Sequence, residues 1–331
     1  MQKIAIVGCG FMGRMHANVY RLLDNADLVA FVDRKDEKRD RYSADFGAPA
    51  YASLHELFEN HPDLTAVDIC LPTFEHKDAV VAVAAAGKHI FCEKPMALDS
   101  EEAETMIEAC RRHNVRLMIG HCIRFWPEYV YLKELVQSER LGKLRSINLT
   151  RYGEFPSWST DNWLADESKA GGGVLDMHIH DTDFAHFLLG EPRSVHSWGT
   201  VDHRGPSQVF TTMTYPDGVI AHLEGGWNLP NHTPFKMAFR AIFERGAAIM
   251  DGGPLTVYED GLDPLAPEFP KMEASGGGNI SDLGGYYHEL KYFVDKLESG
   301  EPFEVTTPES SHRSLQTTLE EIRQIKSRQR P

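Results

Sequence analysis

The sequence predicts an α/β N-terminal domain built on a doubly wound parallel sheet, followed by an α+β C-terminal domain with a large, mostly antiparallel open sheet. From Lys3 to about His121, short apolar runs alternate with helical patterns, which is typical of a parallel sheet covered by helices. After His121, longer alternating strands and hairpin turns replace this pattern. The chain of 331 residues also exceeds what one hydrophobic core usually organises.

The N-terminal elements follow from their residue patterns. The predicted strands are the apolar runs KIAIVG, DLVAFVD, AVDICLP, HIFCEKP and RLMIGH. Helices are predicted between them over residues 12–24, 36–46 and 75–86 and from about Asp99 onward. Because the runs are continuously apolar, we expect both faces of the sheet to be covered, and we assign residues 1–122 to this domain.

The C-terminal domain, residues 123–331, combines helices with hairpins. Helices are predicted near residues 128–138, from about Val174, and over residues 283–297 and 308–326, the last of which could pack back on the first domain. Turn signals at residues 216–218 and 244–246 predict two hairpins. Prolines and a glycine run within residues 259–281 predict a mobile or extended loop.

Composition and charge exclude several classes of protein. The chain is 42% apolar and 25% charged, which is ordinary for a globular protein, and it has no apolar stretch of bilayer length. A formal charge of −15 without a basic stripe argues against nucleic acid and anionic membranes as partners. The N-terminus shows no secretory leader and the five cysteines form no C-x-x-C pair, so we expect a cytoplasmic protein with core thiols.

A dinucleotide-binding signature lies between the first predicted strand and the first helix. Gly8, Gly10 and Gly13 form a G-x-G-x-x-G pattern, and Asp33 ends the next strand. The first glycine allows the tight turn, the second lets a pyrophosphate approach the backbone, and the third permits close packing of the helix. The N–H groups at the start of the helix would face the anion. This combination predicts a Rossmann domain.

Asp33 and Arg34 bear on the choice between the two nicotinamide cofactors. The Asp33 carboxylate can accept hydrogen bonds from both ribose hydroxyls and would repel a 2′-phosphate, which favours NAD. The guanidinium of Arg34 could instead bind that phosphate, so the use of NADP stays open.

Glu93, Lys94 and Pro95 follow an apolar strand, at the carboxyl edge of the sheet where ligands of open α/β folds bind. Pro95 keeps Lys94 out of helical geometry, which favours a fixed bend that aims these side chains into the crevice. By position alone, a solvated surface pair explains the two charges equally well.

The segment from Gly171 to Asp183 is dense in titratable residues. On a helix, Asp176, His180 and Asp183 would share one face, and a carboxylate beside an imidazole can tune it for proton transfer. A buried polar cluster that anchors the helix is the alternative. A metal site through His178 and His180 is disfavoured because their side chains would point about 200° apart on a helix, so no metal is expected.

Together these residues resemble the glucose-fructose oxidoreductase, inositol dehydrogenase and MocA family (Gfo/Idh/MocA) over most of the chain. The resemblance is carried by the 8–13 loop, Asp33, the run 69–73 with His76, the run 87–95 and the segment 171–183. It implies reversible hydride transfer between the nicotinamide and a carbinol carbon of a sugar, inositol or other polyol. It also implies that Lys94, Asp176 and His180 are the catalytic residues.

The resemblance further implies how the chain binds its cofactor and assembles. Thr73 and His76 would lie near the nicotinamide ribose. The implied cofactor residues are Gly8, Gly10, Phe11, Met12, Gly13, Asp33, Arg34, Leu71, Pro72, Thr73, His76, Glu93 and Lys94. His178 stands where the family often has glycine, so it could add a polar group to the pocket. The C-terminal sheet would form the interface of a homodimer or homotetramer.

Candidates for binding the substrate combine the implied catalytic residues with aromatic and charged residues after the last N-terminal strand. They are Lys94, Arg124, Trp126, Tyr152, Trp158, Trp163, Lys169, Asp176 and His180. Large aromatic side chains bury area wherever they lie, so a core position explains each aromatic equally well. The carboxylates of Asp176, Asp181 and Asp183 favour a neutral polyhydroxylated substrate over an acid.

Other functions stay open at this point. The resemblance includes members that cleave glycosides through transient oxidation with NAD and regulatory members that bind the dinucleotide without turnover. Lys94, Asp176 and His180 argue against a regulatory role, because a sensor needs no proton-transfer group. A metal-dependent hydrolase is disfavoured by the helical geometry of His178 and His180.

Overall fold

The structure of the chain, a computed structural model, describes residues 1–270 and 283–329. These residues form two compact units. The first contains residues 1–126, 158–160 and 283–312, and the second contains residues 127–157, 161–270 and 313–329. A domain boundary after residue 122 stays a prediction.

Strands account for much of both units. They are β1 Gln2–Val7, β2 Ala26–Val32, β3 Ala50–Tyr51, β4 Ala66–Ile69, β5 His89–Glu93, β6 Leu117–Gly120, β7 Leu144–Glu154, β8 Ser194–Asp202, β9 Gly205–Thr214, β10 Ile220–Leu229, β11 Lys236–Phe243, β12 Gly246–Asp251 and β13 Thr256–Glu259.

The α-helices flank these strands. They are α1 Phe11–Tyr20, α2 Asp36–Phe46, α3 Leu54–Asn60, α4 His76–Ala85, α5 Ser100–Arg112, α6 Pro127–Ser138, α7 Glu167–Ala170, α8 Ile179–Leu189, α9 Gly284–Ser299 and α10 Pro308–Arg328. A π-helical segment, Val174–His178, leads directly into α8.

The first unit contains the predicted doubly wound sheet. Its strand order is β3-β2-β1-β4-β5-β6, and all neighbouring strands are parallel. Strands β1, β4 and β5 lie in the middle and contribute fully buried side chains such as Ile4, Val67 and Phe91, as expected for a sheet covered on both faces. The predicted fold class is therefore confirmed for this unit.

Two elements of the first unit, β3 and α3, lie outside the predicted pattern because they are only two and seven residues long. Ser53 caps α3 by accepting a hydrogen bond from the N–H of Glu56 at 3.2 Å, and the Glu56 carboxylate accepts from the N–H of Ala52 at 3.0 Å. This reciprocal cap is a signal that could have located the helix from the sequence.

The second unit is built on a seven-stranded sheet with the order β13-β12-β11-β7-β10-β9-β8. Its neighbouring strands are antiparallel except β7 and β10, which confirms the mostly antiparallel sheet. Leu149, Leu223 and Phe239 occupy matching positions on its buried face. The Tyr129 ring from α6 packs 5.1 Å from Phe239 and 4.8 Å from Phe184 of α8, between centroids, so helices cover that face.

The predicted loop after β13 is only partly described. Residues 260–270 contain no helix or strand beyond a single bridge between Leu265 and Val257, and residues 271–281 of the predicted loop lie outside the described residues. Within the described ranges, no helix is both long enough and apolar enough to cross a membrane.

Candidate active site

The glycine loop between β1 and α1 has a distinct reason for each glycine. Gly8 has a φ of +104°, and a Cβ there would lie 2.5 Å from the carbonyl oxygen of Cys70. A Cβ at Gly13 would overlap the carbonyl oxygen of Gly8, whereas a Cβ at Gly10 would meet open space. Gly10 also begins α1 without a side-chain cap, which leaves N–H groups of the first turn available to an anion. The loop therefore fits a dinucleotide pyrophosphate.

Asp33 is fixed at the end of β2, beside this loop. Its Oδ2 accepts a hydrogen bond from the N–H of Cys9 at 2.9 Å, and its Oδ1 accepts one from the N–H of Lys35 at 2.9 Å. The ammonium of Lys38 lies 3.8 Å from Oδ2. Arg34 is exposed, with Nη2 3.4 Å from Glu75 Oε1. A carboxylate anchored in this way fits the ribose-binding role expected of it.

Phe11 and Met12, which begin α1, are both half-buried. The ring of Trp158, a residue grouped with the first unit, packs 4.8 Å from the ring of Phe11. Trp158 therefore lies beside the glycine loop, where it covers an implied cofactor residue.

Four implied cofactor residues, Leu71 to Thr73 and His76, connect the carboxyl end of β4 to α4. Thr73 and His76 are both buried. The ring nitrogens of His76 lie 2.9 Å from the carbonyl oxygen of Leu71 and 3.0 Å from that of Pro95. Burial lowers the pKa of His76, so the neutral ring donates to one carbonyl at a time. His76 thus links the loop after β4 to the loop after β5.

Glu93 ends β5 and shapes the turn that carries Lys94. Glu93 Oε2 accepts a hydrogen bond from the N–H of Lys94 at 3.0 Å. The following Lys94–Pro95 peptide bond is cis. Glu93 is buried and Lys94 half-buried, so the two side chains have different surroundings although they are adjacent in sequence.

A buried polar cluster lies behind this turn, formed by His16 of α1, Asp68 and Cys70 at the end of β4, and Glu93. His16 Nδ1 lies 2.8 Å from Asp68 Oδ2 and 3.2 Å from Cys70 Sγ. His16 Nε2 lies 3.1 Å from Glu93 Oε1, although the contact does not have the direction of a good hydrogen bond. The imidazole is fully buried, and a carboxylate lies beside each of its two ring nitrogens.

The charges of this cluster favour a protonated imidazole. Burial by itself lowers the pKa of His16, but the Asp68 carboxylate outweighs it and holds that pKa well above its usual value. Burial by itself raises the pKa of Glu93, but His16 and Lys94 outweigh it and hold that pKa below its usual value. Burial raises the pKa of the Cys70 thiol well above its usual value, so the thiol stays neutral.

The glycine-rich segment of the second unit turns sharply before the π-helical segment. Gly171 and Gly172 have φ of +70° and +80°, and a Cβ at either would collide with Leu175 or with the backbone of Pro206. The helix that the sequence predicts from Val174 is present, but its first turn is π-helical. Asp176 and His180, both half-buried, lie on either side of the change from π-helix to α8.

The other titratable residues of this segment point into the unit and correct the sequence prediction. Asp183 is fully buried and accepts a hydrogen bond from Ser314 of α10 at 2.7 Å, so it does not share the environment of Asp176 and His180. The π-helical turn ends at His178 and so does not separate Asp183 from His180 within α8; Asp183 is buried because it packs against α10.

Asp181 and His178 are also fully buried. Asp181 forms a two-pronged salt bridge with Arg151 of β7, at 3.0 and 3.2 Å. His178 Nε2 lies 3.2 Å from Glu321 of α10, and the imidazole packs against Gly225, where a Cβ would collide with it. The prediction that His178 adds a polar group to a pocket is wrong, because its ring is enclosed by the second unit.

The candidate substrate residues of the first unit are largely enclosed. Arg124 is 3% exposed and donates hydrogen bonds to the carbonyl oxygen of Val305 at 2.6 Å and to Ser310 Oγ at 3.0 Å. Trp126 is half-buried against the ring of Tyr286, at 5.9 Å between centroids. These contacts explain both side chains as structural parts of the unit, and for Trp126 they favour the core position that the sequence left open.

The candidates of the second unit are more accessible. Tyr152 on β7 is half-buried, and the Lys236 ammonium lies 5.9 Å from its ring centre. Trp163 packs against a small apolar cluster of Leu164, Ala170 and Trp227. Lys169 lies 3.2 Å from Asp166.

Comparison with known proteins decides the family. The family model described as "oxidoreductase family, NAD-binding Rossmann fold" matches residues 2–121, and that of the GFO/IDH/MocA C-terminal domain matches residues 129–249. The chain belongs to the Gfo/Idh/MocA family. The predicted NAD-dependent oxidoreductase is thereby confirmed, and a regulatory role without turnover is not favoured.

Known proteins are similar to the chain over most or all of its length. The chain is 34% identical to a myo-inositol 2-dehydrogenase from Thermotoga maritima, over 98% of each chain. It is 30% identical to a 2,7-anhydro-N-acetylneuraminate hydratase from Escherichia coli, over 70% of this chain and 64% of the relative. An oxidoreductase from Agrobacterium radiobacter, solved with NAD+, L-tartaric acid and magnesium, has a similar fold, with a TM-score of 0.85 and 18% identity over 97% of this chain and 96% of the other.

The Gfo/Idh/MocA chain also contains residues at the candidate site that the motif analysis passed over. His16 and Asp68 are fully buried next to Glu93. Their signal was present in the sequence: Asp68 interrupts the apolar run AVDICLP, and His16 lies between the buried residues Met15 and Ala17 of α1. Titratable groups at such positions are buried with partners as a rule.

Proposed function

We propose that this oxidoreductase transfers a hydride reversibly between NAD and the carbinol carbon of a neutral polyol, inositol or sugar. The observation that carries the proposal is that the titratable residues of the glycine-rich segment fall into two groups. His178, Asp181 and Asp183 are buried with partners inside the second unit, whereas Asp176 and His180 are half-buried near the glycine-rich turn. A half-buried histidine four residues from a carboxylate is suited to exchange a proton with a bound hydroxyl.

Each proposed catalytic residue has a distinct task. His180 takes the hydroxyl proton, Asp176 orients the imidazole or balances its charge, and Lys94 holds the substrate oxygen as it becomes negative. Bound NAD supplies the hydride acceptor at its nicotinamide. Lys94 belongs to the first unit and the other two residues to the second, so their joint action is part of the proposal.

The substrate class depends on a smaller set of charges than the sequence suggested. Asp181 is paired with Arg151 and Asp183 accepts a hydrogen bond from Ser314, both in the interior of the second unit, so neither carboxylate argues against an acidic substrate. A neutral substrate is instead supported by Asp176 and by the similarity of the chain, over 98% of its length, to a myo-inositol 2-dehydrogenase. Tyr152, Trp163 and Lys169 are the proposed substrate contacts, with Arg124 and Trp126 in supporting positions.

The test is a substrate panel with purified protein. Inositols, linear polyols, aldoses, anhydrosugars and uronates are offered with NAD, and NADH absorbance is followed. The proposal expects turnover of at least one neutral compound and its loss in Lys94→Ala. Turnover of uronates alone would overturn the neutral substrate, and conversion of an anhydrosugar without net NADH would favour the transient-oxidation chemistry of the family.

We also propose assembly through the second unit's sheet, as a homodimer or homotetramer. Phe210, Ile220 and Ile242 lie on the outer face of β9, β10 and β11 and are 36–47% exposed, and Ile220 and Ile242 both pair with Ser146 of β7. A second copy of this chain would cover them. Light scattering of wild type and Phe210→Glu tests this, and a monomeric wild type would contradict it.

A cytoplasmic location is proposed on the state of the cysteines. All five lie in the described residues as free thiols, four of them buried, as expected in a reducing compartment. Fractionation of the native cell with detection of the chain would test this.

A further inference from the structure

We propose that His16 is a positioning residue for hydride transfer, because it joins two buried carboxylates and through Glu93 fixes the turn that carries Lys94. The inference rests on the proposed role of Lys94. His16 Nε2 meets Glu93 Oε1 at 3.1 Å, and Glu93 Oε2 accepts from the N–H of Lys94 at 3.0 Å. His16 is therefore two contacts away from the backbone of the proposed catalytic lysine.

The other ring nitrogen secures His16 itself. Nδ1 lies 2.8 Å from Asp68 Oδ2, and Asp68 lies one residue before the end of β4, beside the strand that carries Glu93. The imidazole thus connects α1, which begins at the glycine loop, to the carboxyl ends of two neighbouring strands. The glycine loop and the Lys94 turn are held in register by one side chain.

A metal ion is a poorer account of the same atoms. Suitable ligand atoms of His16, Asp68 and Cys70 lie within 4.8 Å of one another. Two ligands of a tetrahedral zinc ion at about 2.0–2.1 Å would be about 3.3 Å apart, whereas Nδ1 and Oδ2 are in direct hydrogen-bonding contact at 2.8 Å. The fourth side chain, Glu93, contacts the opposite ring nitrogen and cannot complete that site.

The surroundings of the imidazole are otherwise closed. Phe91 of β5 meets its ring edge-on at 5.4 Å between centroids, and Tyr286 of α9 lies at 6.4 Å. In the described residues, the titratable groups that interact with the cluster include Tyr20 on α1, His76 on α4, Cys92 on β5, Lys94 after β5, and Tyr286 and Glu289 on α9. Burial raises the pKa of both tyrosines well above the usual value, so they stay neutral and leave the charge balance to the carboxylates, His16 and Lys94.

Two substitutions separate the functions of the two ring nitrogens. In His16→Asn the amide reaches the place of Nδ1 and keeps the hydrogen bond to Asp68, but it loses Glu93. In His16→Gln the amide reaches the place of Nε2 and keeps Glu93, but it loses Asp68. Both variants lose the charge, so any difference between them comes from which contact survives.

The proposal expects a split between kinetic parameters. His16→Asn should lower kcat about 10- to 100-fold with a KM for NAD near wild type, because displacement of a reacting group by about 1 Å costs up to that much. His16→Gln should keep kcat within about threefold and raise the KM for NAD, since α1 loses its tie to β4. Equal kcat in His16→Asn and wild type, in folded protein, would overturn the proposal.

A double-mutant cycle tests whether His16 acts through Glu93. His16→Asn should lower kcat in wild type but not further in a Glu93→Ala background, whereas additive losses would show that His16 acts elsewhere. If His16→Asn does not fold, Glu93→Gln replaces it and must show the same loss of kcat. Lys94→Ala separates the two proposals: if it keeps full activity, the proposed catalytic role of Lys94 fails together with the present inference, and if it is inactive while both His16 variants match wild type, only the present inference fails.

Discussion

Both units contain a buried histidine that meets a carboxylate, but only one of these pairs leads to a candidate site. His16 in the first unit contacts Asp68 and Glu93 at the carboxyl ends of β4 and β5. His178 in the second unit contacts Glu321, which lies on a helix that covers the sheet. A buried charge at the carboxyl edge of a parallel sheet lies next to the loops that bind ligands in such folds. The contact of His178 with Glu321 lies between helical segments and not at such an edge.

The same contrast holds within the glycine-rich segment. His178 and His180 are two residues apart, yet the first is fully buried and the second half-buried. Density of titratable residues in a sequence therefore does not identify the functional ones. Burial is the observed difference between the two histidines, and the predictions below test whether a difference in function accompanies it.

The largest expected effect is on catalysis. His180→Ala should lower kcat by about 10²–10⁴, the range for loss of a general acid or base, while the affinity for NAD stays near wild type. Steady-state kinetics on the best substrate of the panel measures kcat, and NADH fluorescence measures cofactor binding.

The matched control is His178→Asn, two residues away in the same helical stretch. Its shorter amide reaches only the place of Nδ1, so Glu321 is left buried with one partner fewer and the urea midpoint should fall, but kcat should change by less than about threefold. If the two variants lose kcat equally, the division into a functional and a structural histidine is wrong.

The sequence was sufficient for the fold where its patterns were long. The range predicted for α2, residues 36–46, is the helix observed, and Asp99 caps α5 by accepting from the N–H of Glu102 at 2.9 Å. Short elements such as β3 carry too few residues for a period to emerge. The π-helical turn could not be predicted, because the apolar residues Leu175 and Ile179 follow the spacing of an ordinary α-helix.

The candidate site was predictable in part for a related reason. The glycine loop and Asp33 lie next to one another because they follow the carboxyl ends of two neighbouring parallel strands, β1 and β2. The partners of Asp181 and Asp183 are 30 and 131 residues away in the chain, and only tertiary packing brings Arg151 and Ser314 to them. The sequence could count these carboxylates, but it could not show that they were already satisfied.

The second prediction concerns stability in the interior of the second unit. Arg151→Met should lower the free energy of unfolding by about 3–5 kcal/mol, because it leaves Asp181 buried without its cation. The double variant Arg151→Met/Asp181→Leu should recover most of that loss, since no charge then stays uncompensated. Urea unfolding measures both. A single variant as stable as wild type would show that water reaches Asp181.

The third prediction is a change in cofactor preference. Asp33→Asn keeps an oxygen that can accept from one of the two backbone N–H groups but removes the charge that repels a 2′-phosphate. We expect the ratio of kcat/KM for NADP over NAD to rise about tenfold, which corresponds to about 1.4 kcal/mol. Asp36→Asn, an exposed carboxylate at the start of α2, is the control. A wild type that prefers NADP would contradict the prediction.

The smallest expected effect is a change of stability with pH, and it returns to His16. The pKa of His16 is raised in the folded chain, chiefly by Asp68 against the opposing effect of burial. Its contribution to stability is therefore complete below the unfolded pKa, about 6.5, and is lost as the pH rises through the folded pKa. Glu93, whose pKa is lowered, contributes above its unfolded pKa of about 4.3 and loses that contribution in acid.

Outside the range from about pH 6.5 to 8, the titration of other groups also changes the stability and would obscure the effect of His16. Burial lowers the pKa of His76, which costs stability only as the pH falls below about 6.5. Burial raises the pKa of Cys9 to about 12, so its thiol ionises only on unfolding above about pH 8.5 and then also favours the unfolded chain. Urea unfolding of wild type and His16→Gln is therefore compared between about pH 6.5 and 8. The stability advantage of wild type should shrink steadily across that range. If the difference in stability between wild type and His16→Gln stays constant across that range, His16 is not charged in the folded protein. The contrast between His16 and His178 would then be one of packing and not of charge.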